Sequence, residues 1–546
     1  MPGIDLTYRT LARTRNEAAI EVLRLATLDP DPAVRSRALE SLLERDEFRC
    51  RQLVLARWKD LADRDRKMVS GRARWLEPAV SAALEGGGLV SAAVDVASKT
   101  EMFGMLPKLI AVAEGGDAAT GEKAVIAVTT MAESLGGEAR RDHDRASLRG
   151  PALHRLGSLV RRATDETDPR LIDAFLAIAT WSDGELRDLL DEETTRARLL
   201  RRLATSERQP VLQLLAGFVR RRDMPSTVAA VIAARSDDGF RDVLLATVGG
   251  NPGETVFKNL QRVGTPACCK RPDGFWERLG PDSRAGLAHV AAATYVDPVR
   301  AMPLACRLAE EGGRGGDRAA TNVLGRFQIP DADIWLRAAG TVAEGDPRRI
   351  RADENARLLE RLIRLLDRPY PPLVNQIRRL LRPLHAEQAL PRFERLRPRS
   401  RRRLGRVVRM VDPDAIDQIR ERLRHPVLAQ RLEAIAAAES LAAVDDLLGP
   451  LSMIAQGDHQ EARRRAAQAL GEAEGEASLM ILKQMAEYPD SAIRDAAVAA
   501  LRRRQQARAE TGRDAKTVPD AAATRADVDV ASPPRRPITH PSDMPR

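Results

Sequence analysis

Apolar residues recur at intervals of three and four positions along most of the chain, with charged residues between them. Ala, Leu, Arg and Glu fill these stretches, whereas aromatic and β-branched runs bounded by turn residues are scarce. Glycine-rich breaks separate the stretches, as at 86–88, 115–116 and 312–316. The pattern predicts an all-α protein made of short helices.

A second pattern repeats at longer range. An arginine is followed by small residues three and six positions later and by leucine seven positions later, with copies beginning at Arg35, Arg463 and Arg494 and a weaker copy at Arg431. The steps from Arg431 to Arg463 and from Arg463 to Arg494 are 32 and 31 residues. This period is that of one helix-turn-helix unit, which cannot bury its own apolar face, so neighbouring units must stack.

The segment Asp-Pro-Asp-Pro-Ala-Val-Arg at 29–35, followed by Ala38 and Leu42, resembles the second helix of a HEAT-like repeat. The resemblance covers 29–45 and 426–504, and helical periodicity extends it through the middle of the chain. It implies an α-solenoid of stacked antiparallel helix pairs. It also implies a ladder between turn aspartates and helix arginines, for which Asp31 with Arg35 and Asp490 with Arg494 have the right spacing, so these arginines are expected to be structural.

Three segments follow from these patterns. Residues 1–13 form an N-terminal segment, and residues 14–506 form one continuous HEAT-like solenoid of roughly fourteen or fifteen helix pairs. Residues 507–546 are rich in Ala, Thr, Asp and Pro and cannot bury enough apolar surface to fold alone. We therefore expect a disordered C-terminal tail.

Composition indicates what the core is made of and where in the cell the protein is expected. Hydrophobic residues make up 43% of the chain but aromatic residues only 3%, so the core must consist mainly of Ala, Leu, Val and Ile. No stretch approaches the ~20 apolar residues that a membrane span needs, and the charged start does not resemble a secretory signal. Four cysteines in 546 residues fit a reducing compartment. The expected location is the cytoplasm, without membrane attachment.

Charge is the strongest functional feature of the sequence. The chain carries a formal net charge of +10, and residues 348–409 contain 19 arginines and no lysine against six acidic residues. That segment alone therefore carries +13 and the remainder −3. The chain as a whole prefers arginine, with 79 Arg and nine Lys, but this preference does not explain the missing acidic residues.

Helical spacing predicts that these arginines form stripes on three helices, opposite apolar residues such as Leu359, Leu362 and Leu366. The stripes are candidate sites for an anionic partner, since guanidinium groups bind carboxylates and phosphates: Arg357, Arg361, Arg364, Arg368, Arg378, Arg379, Arg382, Arg399, Arg402, Arg406 and Arg409. A merely solvated charged face is the alternative.

The candidate catalytic and metal-binding motifs do not have the residue spacing that such sites require. Gly116–Lys123 resembles a phosphate loop but has Glu122 in place of the required Lys and Ala124 where Ser or Thr should follow, so it is better explained as a capped helix start. Cys268 and Cys269 lack the two-residue spacer of a zinc site, and buried thiols are the expectation. We predict no catalytic residue, no cofactor and no metal.

Two functions remain. The first is a non-catalytic scaffold for protein–protein interaction, in which a solenoid surface recognises a partner that has an acidic segment. The alternative is a HEAT-like nucleic-acid-binding protein that contacts phosphates through the arginines of 348–409. Single-strand binders interleave stacking aromatics with basic residues, and this segment offers only Tyr370 and Phe393. The sequence does not identify the partner or the oligomeric state.

Overall fold

A computed structural model describes residues 2–86, 88–138, 143–270, 274–295, 301–393, 396–473 and 475–514, without the side chains of 2–4, 137–138, 143–146, 398–399 and 507–514. Within these residues every regular element is a helix and there is no strand. The predicted all-α class is confirmed. The described chain divides into two compact units, 1–327 with 369–376 and 328–368 with 377–546, which are considered separately below.

The first unit contains twenty complete α-helices among the described residues. They are α1 Pro2–Arg13, α2 Ala18–Ala26, α3 Pro32–Leu43, α4 Phe48–Arg57, α5 Asp63–Ser70, α6 Ala73–Leu84, α7 Val90–Lys99, α8 Leu106–Gly115, α9 Ala118–Glu138, α10 His143–Arg162, α11 Pro169–Ile178, α12 Gly184–Asp191, α13 Glu193–Thr205, α14 Gln209–Gly217, α15 Ser226–Ala234, α16 Asp238–Val248, α17 Glu254–Val263, α18 Pro281–Thr294, α19 Met302–Glu311 and α20 Gly313–Gly325. Short 3-10 helices lie at Trp58–Asp60, Phe103–Met105, Phe218–Arg220, Ala267–Cys269 and Trp276–Arg278.

Helices of the first unit stack in two rows. In one row α7, α9, α11, α14, α16, α18 and α20 each pack on the next, and in the other α6, α8, α10, α12, α13, α15 and α17 do the same. Pairs such as α8 with α9 and α17 with α18 join the rows. Each helix therefore contacts its neighbours in sequence, which is the arrangement of an α-solenoid.

The second unit repeats this arrangement. Its helices are α21 Ala332–Glu344, α22 Pro347–Ala352, α23 Glu354–Leu365, α25 Ala386–Phe393, α26 Pro398–Val411, α27 Ala415–Leu423, α28 Leu428–Ser440, α29 Leu448–Gly457, α30 Gln460–Leu470, α31 Glu476–Ala486 and α32 Ser491–Asp514, with 3-10 helices at Arg382–Leu384 and Asp445–Leu447. Helix α24, Pro371–Leu380, is divided between the units at residue 376. The row α26, α28, α30 and α32 is paired with α27, α29 and α31, so the stacked helix pairs predicted from 426–504 are confirmed.

Aspartate side chains cap the starts of several helices. Asp31 and Asp168 each accept a hydrogen bond from the amide two residues ahead, at 2.8 Å, and a proline occupies the first helical position. Asp117 likewise accepts from the amides of Ala119 and Thr120 at 3.1 and 3.0 Å. The segment resembling a phosphate loop is therefore the capped start of α9, as predicted.

Helices lie at both predicted boundaries of the solenoid. Residues 2–13 form α1, which packs on α2 and α3. At the other end α32 continues to Asp514, eight residues past the predicted end of the array. The remainder of the predicted tail, 515–546, lies outside the described residues, and the single continuous array over 14–506 remains a prediction.

Buried arginines connect successive repeats. Arg45, Arg221 and Arg235 are 2%, 8% and 5% exposed, and each pairs with an acidic side chain two residues later while donating to a backbone carbonyl 32 to 40 residues earlier. The charge of each arginine is thus neutralised locally, while its guanidinium group donates a hydrogen bond to a carbonyl of an earlier repeat.

No described helix is both long enough and apolar enough to cross a membrane.

Candidate functional site

Helix α23 presents the first predicted arginine stripe. Leu359 and Leu362 on its opposite face are fully buried, as predicted, while Leu366, just past its end, is half-buried. Arg357 and Arg364 are exposed, and among the described residues their only ion-pair neighbours, Glu354 and Glu360 of the same helix, are 4.0 Å away. Such distant exposed pairs are worth little, so these two guanidinium groups remain open to a ligand.

The remaining arginines of this stripe, and those of α24, are less open. Arg361, Arg368 and Arg379 are half-buried and each interacts with other groups of the protein. Arg378 is also half-buried, with an Nε atom that is buried and has no hydrogen-bond partner. Arg382, beyond the end of α24, is exposed and has no ion-pair partner among the described residues.

The predicted arginines of α26 fall into two groups, those that contact other repeats and those that are exposed. Arg402 forms a 2.6 Å ion pair with Glu472, and Arg409 donates to Asp446 at 2.6 Å and to the Ala442 carbonyl at 2.8 Å. These two residues connect α26 to following repeats. Arg406 is exposed without a partner in the described part of the chain, and the side chain of Arg399 lies outside the described residues.

One further arginine was not in the predicted set. Arg403 on α26 is exposed and has no ion-pair partner among the described residues. It lies four positions after Arg399 and three before Arg406, which is helical spacing for the same face, yet the predicted stripe did not include it. It lines a groove that helical periodicity does not reveal.

The groove lies between α21 on one side and α25, Leu396 and α26 on the other, and it has a volume of about 940 Å³. Helix α21 contributes one face, since its lining residues follow at steps of three and four: Asp333, Leu336, Arg337, Gly340, Ala343 and Glu344. The other wall is formed by Pro391, Arg392, Phe393, Leu396, Ser400, Arg403 and Leu404. The opposite face of α21 is anchored by buried Trp335, whose Nε1 donates to the Leu380 carbonyl at 3.1 Å.

The electrostatics of the groove are positive. Of its two acidic residues, Asp333 pairs with Arg392 at 2.8 Å and Glu344 pairs with Arg349 at 2.6 Å. Arg337 and Arg403 are exposed, and neither has a carboxylate partner among the described side chains. The groove therefore combines apolar lining residues with two uncompensated guanidinium groups.

A second charged cluster lies in the row α26 to α32. Burial and the neighbouring Glu472 raise the pKa of Glu439 to about 7, against the opposing effect of Arg465, Arg402 and Arg503. The cluster holds charges from four consecutive repeats. Because Arg402 and Glu472 of this cluster already pair with each other, we assign it a structural role.

The ladder pairs expected from the resemblance, Asp31 with Arg35 and Asp490 with Arg494, form no side-chain ion pair among the described residues. Asp–Arg pairs of the row α26 to α32 instead join neighbouring repeats. Arg431 pairs with Asp458 at 2.6 Å, and Arg463 pairs with Asp490 at 3.9 Å. Arg35 instead donates to the carbonyls of Asp29 and Pro30 in its own turn. Arg35, Arg431 and Arg463 therefore contact other groups of the protein, while the structural role expected for Arg494 stays a prediction.

The cysteine thiols are buried, as the sequence predicted. All four cysteines are buried and free, and the Sγ atoms of Cys268 and Cys269 are 3.8 Å apart. Within the described residues no group of three or more His, Cys, Asp or Glu side chains could hold a metal ion.

No protein-family model matches the chain, and no curated protein matches it. Solved structures with some likeness include an engineered protein, at 13% identity and a TM-score of 0.20 over 89% of this chain and 98% of the other. A Kap121p mutant shares 12% identity at a TM-score of 0.24, over 91% of this chain and 53% of the other. Kap121p bound to RanGTP gives 12% and 0.22, with 91% and 48% coverage.

This chain thus spans about half the length of those Kap121p chains. At such TM-scores the whole chains do not superpose, and the fold assignment stands on the helices and contacts described above.

Proposed function

We propose that the protein is a non-catalytic, HEAT-like binding scaffold whose basic segment, 348–409, recognises an acidic segment of a partner protein. One observation carries the proposal. Several arginines of this segment are exposed and lack a close ion pair within the described residues, among them Arg357, Arg364, Arg382, Arg403 and Arg406. An excess of uncompensated guanidinium groups attracts carboxylates and phosphates and steers their approach.

Nucleic acid is the alternative partner, since phosphates would satisfy the same arginines. Two features favour protein. Phe393, one of the two aromatic residues of the segment, is 1% exposed, so it offers no face on which a base could stack. The groove beside α26 also adds apolar surface, which a phosphate backbone would not use.

The test compares two variants with equal charge change. In the first, Arg357, Arg364, Arg382, Arg403 and Arg406 are replaced by Glu. In the control, five exposed arginines of the first unit without a recorded partner are replaced by Glu: Arg9, Arg64, Arg74, Arg201 and Arg222. Binding of a fluorescent glutamate-rich peptide and of a duplex DNA is measured by anisotropy from 50 to 300 mM salt.

We expect the first variant to lose peptide binding about ten-fold or more, while the control stays close to the unchanged protein. A peptide that binds both variants equally would disprove the role of 348–409. Tighter binding of duplex DNA, with a log-log salt slope of about −5 as for six phosphate contacts, would assign the surface to nucleic acid.

A further inference from the structure

The groove between α21 and α26 has the dimensions and chemistry of a docking site for a helix. We infer that it binds an amphipathic acidic helix of a partner protein, whose apolar side chains enter the groove while its carboxylates meet Arg337 and Arg403. This inference rests on the proposed function and specifies which structure of the partner is recognised.

Length is the first argument. The lining residues of α21 extend from Asp333 to Glu344, which at 1.5 Å per residue is about 16 Å, or three turns of helix. An apolar stripe on a partner helix, with anchors at i, i+3, i+4 and i+7, spans about 10 Å and therefore fits within this length.

The shape of the groove floor is the second argument. A Cβ atom added at Gly340 would meet no atom within 4 Å, so there is open space directly above the middle of the α21 face. Ala343 beside it is small, and Leu336, Leu396 and Leu404 line the groove around this gap. Leu396 is 36% exposed, an apolar side chain that a docked leucine would cover.

Charge complementarity decides which helix fits. Asp333 and Glu344 are already paired with Arg392 and Arg349, so they do not repel an incoming carboxylate as free charges would. Arg337 on one wall and Arg403 on the other remain for the partner. A basic or purely apolar helix would leave these guanidinium groups without partners, whereas an acidic one pairs with both.

The experiment uses the full chain and two fluorescein-labelled helical peptides of equal negative charge. One peptide carries leucines at i, i+3, i+4 and i+7 opposite glutamates, and in the other these leucines are serines. We expect the leucine peptide to bind about ten-fold more tightly or better, because its apolar side chains are removed from water when they enter the groove.

Variants separate the groove from general electrostatics. Gly340→Leu fills the open space and should abolish the preference for leucine, without loss of thermal stability because Leu favours helix over Gly. Arg403→Glu should weaken both peptides about ten-fold or more. The control is Arg351→Glu, an exposed arginine of the basic segment outside the groove, which should change affinity about two-fold or less.

Two results would overturn the inference while leaving the proposed function intact. These are equal binding of the two peptides, and equal weakening by Arg351→Glu and Arg403→Glu. Either result would mean that charge alone attracts the partner. If neither peptide binds and duplex DNA does, the acidic-protein proposal itself fails.

Discussion

Arg45, Arg221 and Arg235 are buried although arginine is abundant on the surface of this protein. Each has an acidic residue two positions ahead and a carbonyl of an earlier repeat within reach. The local Arg-x-Asp/Glu spacing was present in the sequence, but it does not distinguish these arginines from the many exposed ones. Burial depends on the neighbouring repeat, which only the fold supplies.

Arg235→Ala should be among the most destabilising single changes. It removes bonds to Asp237 at 2.7 Å, the Leu203 carbonyl at 2.7 Å and the Ser206 carbonyl at 3.0 Å. Two carbonyls in a buried region then lose a partner, so we expect a loss of about 3–5 kcal/mol in the free energy of unfolding. Urea denaturation measures it, with exposed Arg201→Ala as the control, expected within about 0.5 kcal/mol. Equal effects of the two changes would contradict the structural role.

Glu439 should make stability depend on pH. Its pKa of about 7 in the folded state lies above the ordinary value of 4.5, so between these values the folded state retains a proton that the unfolded state has lost. Stability therefore falls as pH rises from about 4.5 to 7. Glu439→Gln should remove this fall, gaining on the order of 1–3 kcal/mol relative to the unchanged protein at pH 8.

Urea midpoints at pH 5, 6, 7 and 8 test the role of Glu439. Exposed Glu433 on the same helix provides the control substitution, Glu433→Gln. The charged groups that influence Glu439 are Glu472, Arg465, Arg402 and Arg503. A pH profile of Glu439→Gln that parallels the unchanged protein would disprove the assignment.

Among the elements, α26 shows how far helical periodicity predicts a surface. The apolar face opposite its arginines is buried, with Leu404 4% and Val408 0% exposed. Periodicity also placed Arg402, Arg406 and Arg409 on one side, yet two of these three contact later repeats. Helical periodicity identifies the polar face of a helix, but it does not show which residues of a neighbouring helix contact that face.

Two glycine substitutions provide a matched test of helix packing. A Cβ at Gly405 of α26 would overlap the Ser440 carbonyl oxygen at the end of α28, whereas a Cβ at Gly340 of α21 meets nothing within 4 Å. Gly405→Ala should therefore destabilise by about 1–3 kcal/mol. Gly340→Ala should stabilise by up to about 1 kcal/mol through helix propensity. Thermal unfolding of both variants is the measurement, and shifts of the same sign would refute the close approach.

At the scale of the whole molecule, stability is the sum of many contacts between helices that are neighbours in sequence. Within each unit a helix packs on its neighbours in sequence, and such arrays lose cooperativity as they lengthen. We therefore expect the calorimetric enthalpy of unfolding to exceed the van't Hoff enthalpy for the full chain. Equality of the two enthalpies would show a single cooperative transition instead.

The sequence by itself determined the helical class, the repeat of 31–32 residues and the buried faces of α23 and α26. These follow from side-chain periodicity and from caps such as Asp31 and Asp168, which act within a few residues. It also located the concentration of positive charge, because charge is additive along the chain.

Only the tertiary structure decided which arginines remain available. Arg402 meets Glu472, 70 residues away, and Arg409 meets Asp446, 37 residues away, while Arg403 is left at the edge of a groove. Contacts between residues so far apart arise when repeats stack, and no local pattern encodes them. The groove itself exists because α21 packs beside α26, which follows from the packing of elements separated by more than fifty residues.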